Sequence, residues 1–209
     1  MVLENRFNKL IEARHGTILY NKNDIYIGKS IEKYGEFSYL EAKIFEQICK
    51  AGDVVIEVGA NIGAHTLYLS KLVGNGYVFA FEPQRLVFQN LCANLALNSI
   101  SNVFAYQEAV SNENGTIIIP ECNFKENNNF GGINIENTKN GTTVNRQKLD
   151  NFLNKIDRLK LLKIDVEGME ISVIKGASEL IKKFRPMIYV ENDRQEHSKE
   201  LIELLWSLD

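Results

Sequence analysis

The spacing of apolar residues changes several times along the chain, and each change marks an element. Val54-Val55-Ile56 with Val58 is a short continuous apolar run, the signature of a strand covered on both faces. Thr66, Leu67, Leu69 and Leu72 predict a helix that stops near Gly74, and Tyr77 to Phe81 a second strand. Pro83 opens a helix whose apolar residues are Leu86, Val87, Leu91, Leu95 and Leu97. Val103 to Tyr106 follows as a third strand, Leu159 to Ile164 as a fourth and Met187 to Val190 as a fifth. Helices are predicted over Ile171 to Ile181 and Leu201 to Trp206. Strands alternating with helices imply right-handed βαβ units. The expected fold is therefore α/β, with a mostly parallel, doubly wound sheet.

Two stretches break this rhythm. Upstream, Leu40, Ile44 and Ile48 recur every four residues and predict a helix that buries this face; Ser38 and Glu41 have capping-box spacing at its start. Residues 1–35 are mixed and polar, with a short alternation at Ile25-Tyr26-Ile27. They read as an N-terminal extension, a helix and a small hairpin beside a main domain of residues 36–209. Between the third and fourth strands lie Thr116 to Ile119 and an asparagine-rich segment, residues 123–132, with adjacent Gly131 and Gly132. That segment reads as a mobile loop, either a surface insertion or a lid over an acceptor.

Composition narrows the class. The chain has 209 residues, 44% hydrophobic and 24% charged, with a net charge of −3, so no global basic field marks a nucleic-acid or membrane binder. No stretch approaches the ~20 apolar residues of a spanning helix, and no signal peptide is read at the N-terminus. Cytoplasmic localisation is the expectation. Cys49, Cys92 and Cys122 are odd in number and lack metal spacing; Cys49 and Cys92 read as small buried hydrophobes.

The chemistry concentrates at strand ends. Glu57-Val58-Gly59-Ala60-Asn61-Ile62-Gly63 follows a buried strand and opens a helix, the context of a nucleotide-type turn. Its glycine spacing differs from the dinucleotide fingerprint GxGxxG, and an acidic-x-Gly-x-x-x-Gly pattern suits S-adenosylmethionine better. Glu82, followed by Pro83, ends the second strand and can accept hydrogen bonds from both ribose hydroxyls. Asp165 ends the fourth strand and should face the same crevice, while Glu167 and Glu170 suit the first turn of the next helix.

Taken together, VIEVGANIGAHTLYLS, VFAFEPQ, LKIDVEGMEISVIKGA and PMIYVEN resemble the FkbM family of S-adenosylmethionine-dependent methyltransferases over residues 36–206. The resemblance implies the Rossmann-like class I methyltransferase fold and O-methylation of a hydroxyl on a sugar or small metabolite. It implies that Glu57, Gly59, Ala60, Asn61, Gly63 and Thr66 line the methionine and ribose end, that Glu82 and Pro83 hold the ribose, and that Glu108 and Ala109 border the adenine. Asp165 would lie near the sulfonium and act as base or orienting acceptor, with Glu191 as the second catalytic carboxylate. Asp165, Glu191 and Asn192 also suggest a magnesium site of the catechol-methyltransferase type, a secondary reading. His65 lies beside the turn and is a weaker candidate base.

The family sheet normally continues with two further strands, and the sequence offers no residues for them after Trp206. Residues 17–27 could supply a substitute, a partner subunit could pair with the open edge as a homodimer, or the chain could be a fragment. Two competing functions stand beside O-methylation. A nucleic-acid methyltransferase is disfavoured because the fourth strand is followed by Asp165-Val166-Glu167-Gly168 and lacks an Asn/Asp-Pro-Pro-aromatic motif. A non-catalytic cofactor-binding fragment is the other.

Overall fold

A computed structural model describes residues 3–133 and 140–208. Its centre is a parallel sheet of β4 (Val54–Val58), β5 (Tyr77–Phe81), β6 (Val103–Tyr106), β10 (Leu161–Ile164) and β11 (Met187–Val190), in the order β11-β10-β4-β5-β6. The order reverses beside β4, which places a crevice at the carboxyl ends of β4 and β10. All five strands were legible in the apolar runs; only β10 begins later than expected, at Leu161.

Side chains alternate between two packed faces. On one, Ile56, Phe81, Leu162 and Ile164 meet Phe152, Val173, Ile174 and Leu180. On the other, Val55, Val78 and Leu161 meet α2 (Tyr39–Ile48) and α3 (Ala64–Val73) through Phe45, Leu69 and Val73. The α2 face is not the expected one. Leu40 and Ile44 are exposed, and Ala42 and Phe45 are buried. Spacing by four fits either side of this helix, and the large Phe45 ring decides which side turns inward. Ser38 has a left-handed backbone, and its hydroxyl bonds the Glu41 carboxylate instead of capping the helix amides. Cys49 is buried as expected, but Cys92 is exposed on α4 (Arg85–Leu97).

The expected helix over 171–181 is two helices, α5 (Glu170–Lys175) and α6 (Ser178–Phe184). They separate at Gly176, where a Cβ would lie 2.0 Å from the Ser111 carbonyl oxygen. Only glycine permits that approach. The last helix, α7, runs over Gln195–Ser207.

Residues 3–34 form an antiparallel sheet, β1 (Leu3–Glu4), β2 (Asn8–Ala13) and β3 (Gly16–Asn21), followed by α1 (Ile27–Tyr34). Residues 17–27 therefore do not extend the main sheet; β3 pairs with β2, and β11 remains an edge. This sheet is tied to α4 by asparagines. Asn94, fully buried, accepts from Leu19 N at 2.6 Å and donates to Leu19 O at 3.0 Å and Ile62 O at 2.8 Å. Asn98, one turn on, accepts from Thr17 N and donates to Thr17 O. A third sheet, β7 (Ala109–Val110), β8 (Gly115–Ile119) and β9 (Thr142–Gln147), lies between β6 and β10 in sequence.

Asn94→Ala strands buried backbone groups of both β3 and the glycine turn. Urea unfolding should show a loss of about 2–4 kcal/mol; a change below about 0.5 kcal/mol would mean that the N-terminal sheet is not anchored this way.

Candidate active site

The carboxyl ends of β4, β5, β10 and β11 open into a cleft enclosing about 970 Å³, including solvent at its mouth. Its floor is the turn after β4. Gly59 has φ +83°, and a Cβ there would fall 1.7 Å from the Asp165 carbonyl oxygen, so the ends of β4 and β10 nearly touch. The Gly59 and Ala60 amides both donate to Phe81 O, at 3.0 and 2.9 Å, fastening the turn to the end of β5. Asn61 (φ +51°) and Glu167 (φ +49°) are non-glycine residues with left-handed backbones on the two sides of the cleft, a strain of the kind that collects at functional sites.

Glu82 accepts from Asn61 N at 3.0 Å on one oxygen and from Gln84 N at 2.8 Å on the other. Each oxygen keeps a lone pair free toward the cleft. Burial pushes its carboxyl up to about 7, against the two amides that favour the anion. Glu57 is also fully buried and raised to about 7 by burial, and it accepts from the Thr66 hydroxyl at 2.7 Å.

Between Glu57 and Asp165 sits Lys163, a buried cation whose role sequence reasoning missed. Its register partner on β4 is Glu57. Its Nζ lies 3.9 Å from Glu57 Oε1 and 3.1 Å from Asp165 Oδ2. Burial opposes its charge, but Asp165 and Glu57 outweigh it and raise its pKa above the ordinary lysine value. The signal was present: an isolated lysine in Leu161-Leu162-Lys163-Ile164 needs a buried counter-charge, and Glu57 holds the matching place in Val54-Val55-Ile56-Glu57-Val58.

Asp165 points from the end of β10 into the cleft. Burial opposes its ionisation, and Lys163 overcomes this and holds it below the usual carboxylate range. Glu191, just after β11, is raised to about 7, by burial first and then by Asp165, Asp193 and Glu167. Asp165 is close enough to Glu191 to raise it, and Glu191 Oε2 is buried with no hydrogen-bond partner among the described residues.

His65 also lines the cleft. Its ring lies 5.5 Å from Phe37 and 5.4 Å from Phe45, with Nδ1 3.9 Å from Glu41 Oε2. Burial holds it neutral, with a pKa near 3, and its buried Nε2 has no hydrogen-bond partner among the described residues.

The cleft thus gathers Glu57, Gly59, Ala60, Asn61, Glu82, Pro83, Asp165 and Glu191. Other expected residues stand back from it. Thr66 orients Glu57 from behind, and Gly63 begins α3. Glu108 accepts from the Gln147 side chain, and Ala109 belongs to β7. Asn192 donates its amide to Ser198, and the carboxylates that cluster are Glu167, Glu191 and Asp193, with Glu167 held by Arg194 at 3.2 Å. Of the residues expected to hold magnesium, Asp165 and Glu191 line the cleft and Asn192 does not. The asparagine-rich segment supplies a wall. Phe130 is buried against Phe124, Gln84 donates to Phe130 O, and Asn128 bonds the backbone of Asn23 and Ile25.

The parallel sheet, with its crevice at the reversal point, has the Rossmann-like class I methyltransferase fold. The chain belongs to the methyltransferase FkbM domain family, whose model matches residues 57–209. It is 27% identical over 181 residues to methyltransferase sdnD of Sordaria araneosa, covering 69% of this chain and 70% of that one. It is 27% identical over 132 residues to the hexuronic acid methyltransferase AglP of Haloferax volcanii, covering 62% of this chain and 52% of the relative. The crystal structure of methyltransferase FkbM from Methylobacillus flagellatus KT superposes with a TM-score of 0.55 at 18% identity, covering 81% of this chain and 44% of that one. The chain therefore spans about half the length of AglP and less than half of the solved FkbM chain.

Glu57, Glu82 and Glu191 all have raised folded-state values, so their contribution to stability is full below their ordinary pKa near 4.5 and is lost as pH rises through about 7. Denaturation measured between pH 5 and 8 should show stability falling with pH. Glu82→Gln should flatten the slope; an unchanged slope would mean that Glu82 ionises as freely folded as unfolded.

Proposed function

We propose that this protein transfers a methyl group from S-adenosylmethionine to a hydroxyl of a sugar or small metabolite. The observation that carries the reading is the charge of the cleft. Among the described residues, Glu41, Glu57, Glu82, Asp165, Glu167 and Glu191 line it, with Lys163 as the one cation and a neutral His65. Such a wall suits a ligand bearing a sulfonium and an ammonium. Similarity to a hexuronic acid methyltransferase supports a sugar acceptor.

In this reading Glu82 uses its free lone pairs to accept from the ribose hydroxyls, and Gly59 to Asn61 shape the floor beneath the methionine portion. When bound, the cofactor supplies an electrophilic methyl carbon, so the protein's task is orientation and proton removal. The Asp165–Glu191 pair takes the proton that the attacking hydroxyl releases. Lys163 keeps Asp165 anionic, and Glu191, titrating near neutrality, passes the proton on to solvent.

The test is a radiolabelled methyl-transfer assay over a panel of hydroxylated sugars and metabolites. Asp165→Asn should lower kcat by at least about 100-fold while cofactor affinity changes only a few-fold. Wild-type turnover in Asp165→Asn would remove this residue from the chemistry, and methyl transfer to RNA alone would overturn the hydroxyl reading.

A further inference from the structure

A second hollow adjoins the cleft, and its chemistry differs. It lies between α1 and α2 and shares Tyr26, Phe37 and Glu41 with the cleft. Its outer part is formed by Lys29, Lys33 and Tyr34. Tyr26 and Tyr34 are 60% and 62% exposed, unusually open for rings that line a depression. Tyr26 stands edge-on to Phe37, with centroids 5.8 Å apart, and Phe37 leads inward to His65.

Charge changes along this path. The inner end carries Glu41, while the outer end carries two ammonium groups. Lys33 rests over the Tyr34 ring at 5.0 Å. Lys29 pairs with Glu32 at 3.0 Å, but Glu32 also holds Lys9, so cations outnumber carboxylates there. Exposed aromatic faces offer flat apolar surfaces to the C–H faces of a sugar ring, and surplus ammonium groups attract an anion.

We propose that the α1–α2 groove is the acceptor subsite and takes a saccharide bearing an anionic group. The ring lies against Tyr26, the anion faces Lys29 and Lys33, and the reacting hydroxyl points past Phe37 and Glu41 into the cleft that Asp165 and Glu191 line. The inference rests on the methyl-transfer reading for its purpose, though not for its measurement. Carboxylate and phosphate share the required chemistry, so both serve as probes.

Ligand-observed NMR titrations of the protein alone, without cofactor, with methyl glucuronide, glucose 6-phosphate and methyl glucoside read it directly. One or both anionic sugars should bind about 5-fold or more tighter than the neutral one, the scale expected of two exposed ion pairs. Lys29→Glu/Lys33→Glu should abolish that preference, and Tyr26→Ala should weaken all three sugars. Equal affinities for the three, or a preference that survives the double charge reversal, would overturn the proposal. So would a short single-stranded RNA that outcompetes both anionic sugars and is lost in the same double variant. Loss of S-adenosylhomocysteine binding in a parallel titration, with sugar binding intact, would instead count against the methyl-transfer reading.

Discussion

The site depends on one buried cation. Lys163 is 1% exposed, and a lone ammonium in that position would be prohibitively costly. Glu57 and Asp165 supply the counter-charge from two adjacent strands. Breaking such a buried set by removing one partner typically costs about 3–5 kcal/mol. The constraint is also geometric. It joins β4 and β10 in the register that brings Gly59 against the Asp165 backbone, and it holds an ionised carboxylate at the cleft.

From that pairing the rest of the cleft follows. With Asp165 anionic, a carboxyl at Glu191 can sit beside it only by keeping a proton near neutrality. With the β4 turn fastened to Phe81, Glu82 is brought under the amides of Asn61 and Gln84, so one side chain both closes the turn and presents lone pairs to the cleft. The N-terminal sheet takes part through Asn94, which bonds the same turn at Ile62 and the strand β3 at Leu19. A segment outside the family match therefore supports the loop that would hold the cofactor.

Much of this was legible in the sequence because buried parallel strands leave continuous apolar runs, and because the glycine turn, Glu82 and Asp165 each follow such a run. What escaped had physical reasons. Leu40, Ile44 and Ile48 mark a periodic stripe, yet helix α2 turns Phe45 inward, and period alone does not choose a face. The break at Gly176 comes from contact with Ser111, far away in sequence. Glu108 lies near the right strand but is drawn to Gln147 on β9, a pairing that no local pattern announces. Lys163 was visible but its meaning was not, since its partner is set by strand order, which emerges only when β10 is placed beside β4.

The central claim is that these converging carboxylates form a cofactor site. Calorimetric titration of the folded protein with S-adenosylmethionine tests it most directly, with Glu82→Ala as the comparison. The account predicts one-to-one binding with measurable heat, weakened about 10-fold or more by the substitution, as expected for lost hydrogen bonds to a charged group. A folded protein that gives no binding, or one whose affinity ignores the loss of Glu82, would contradict it.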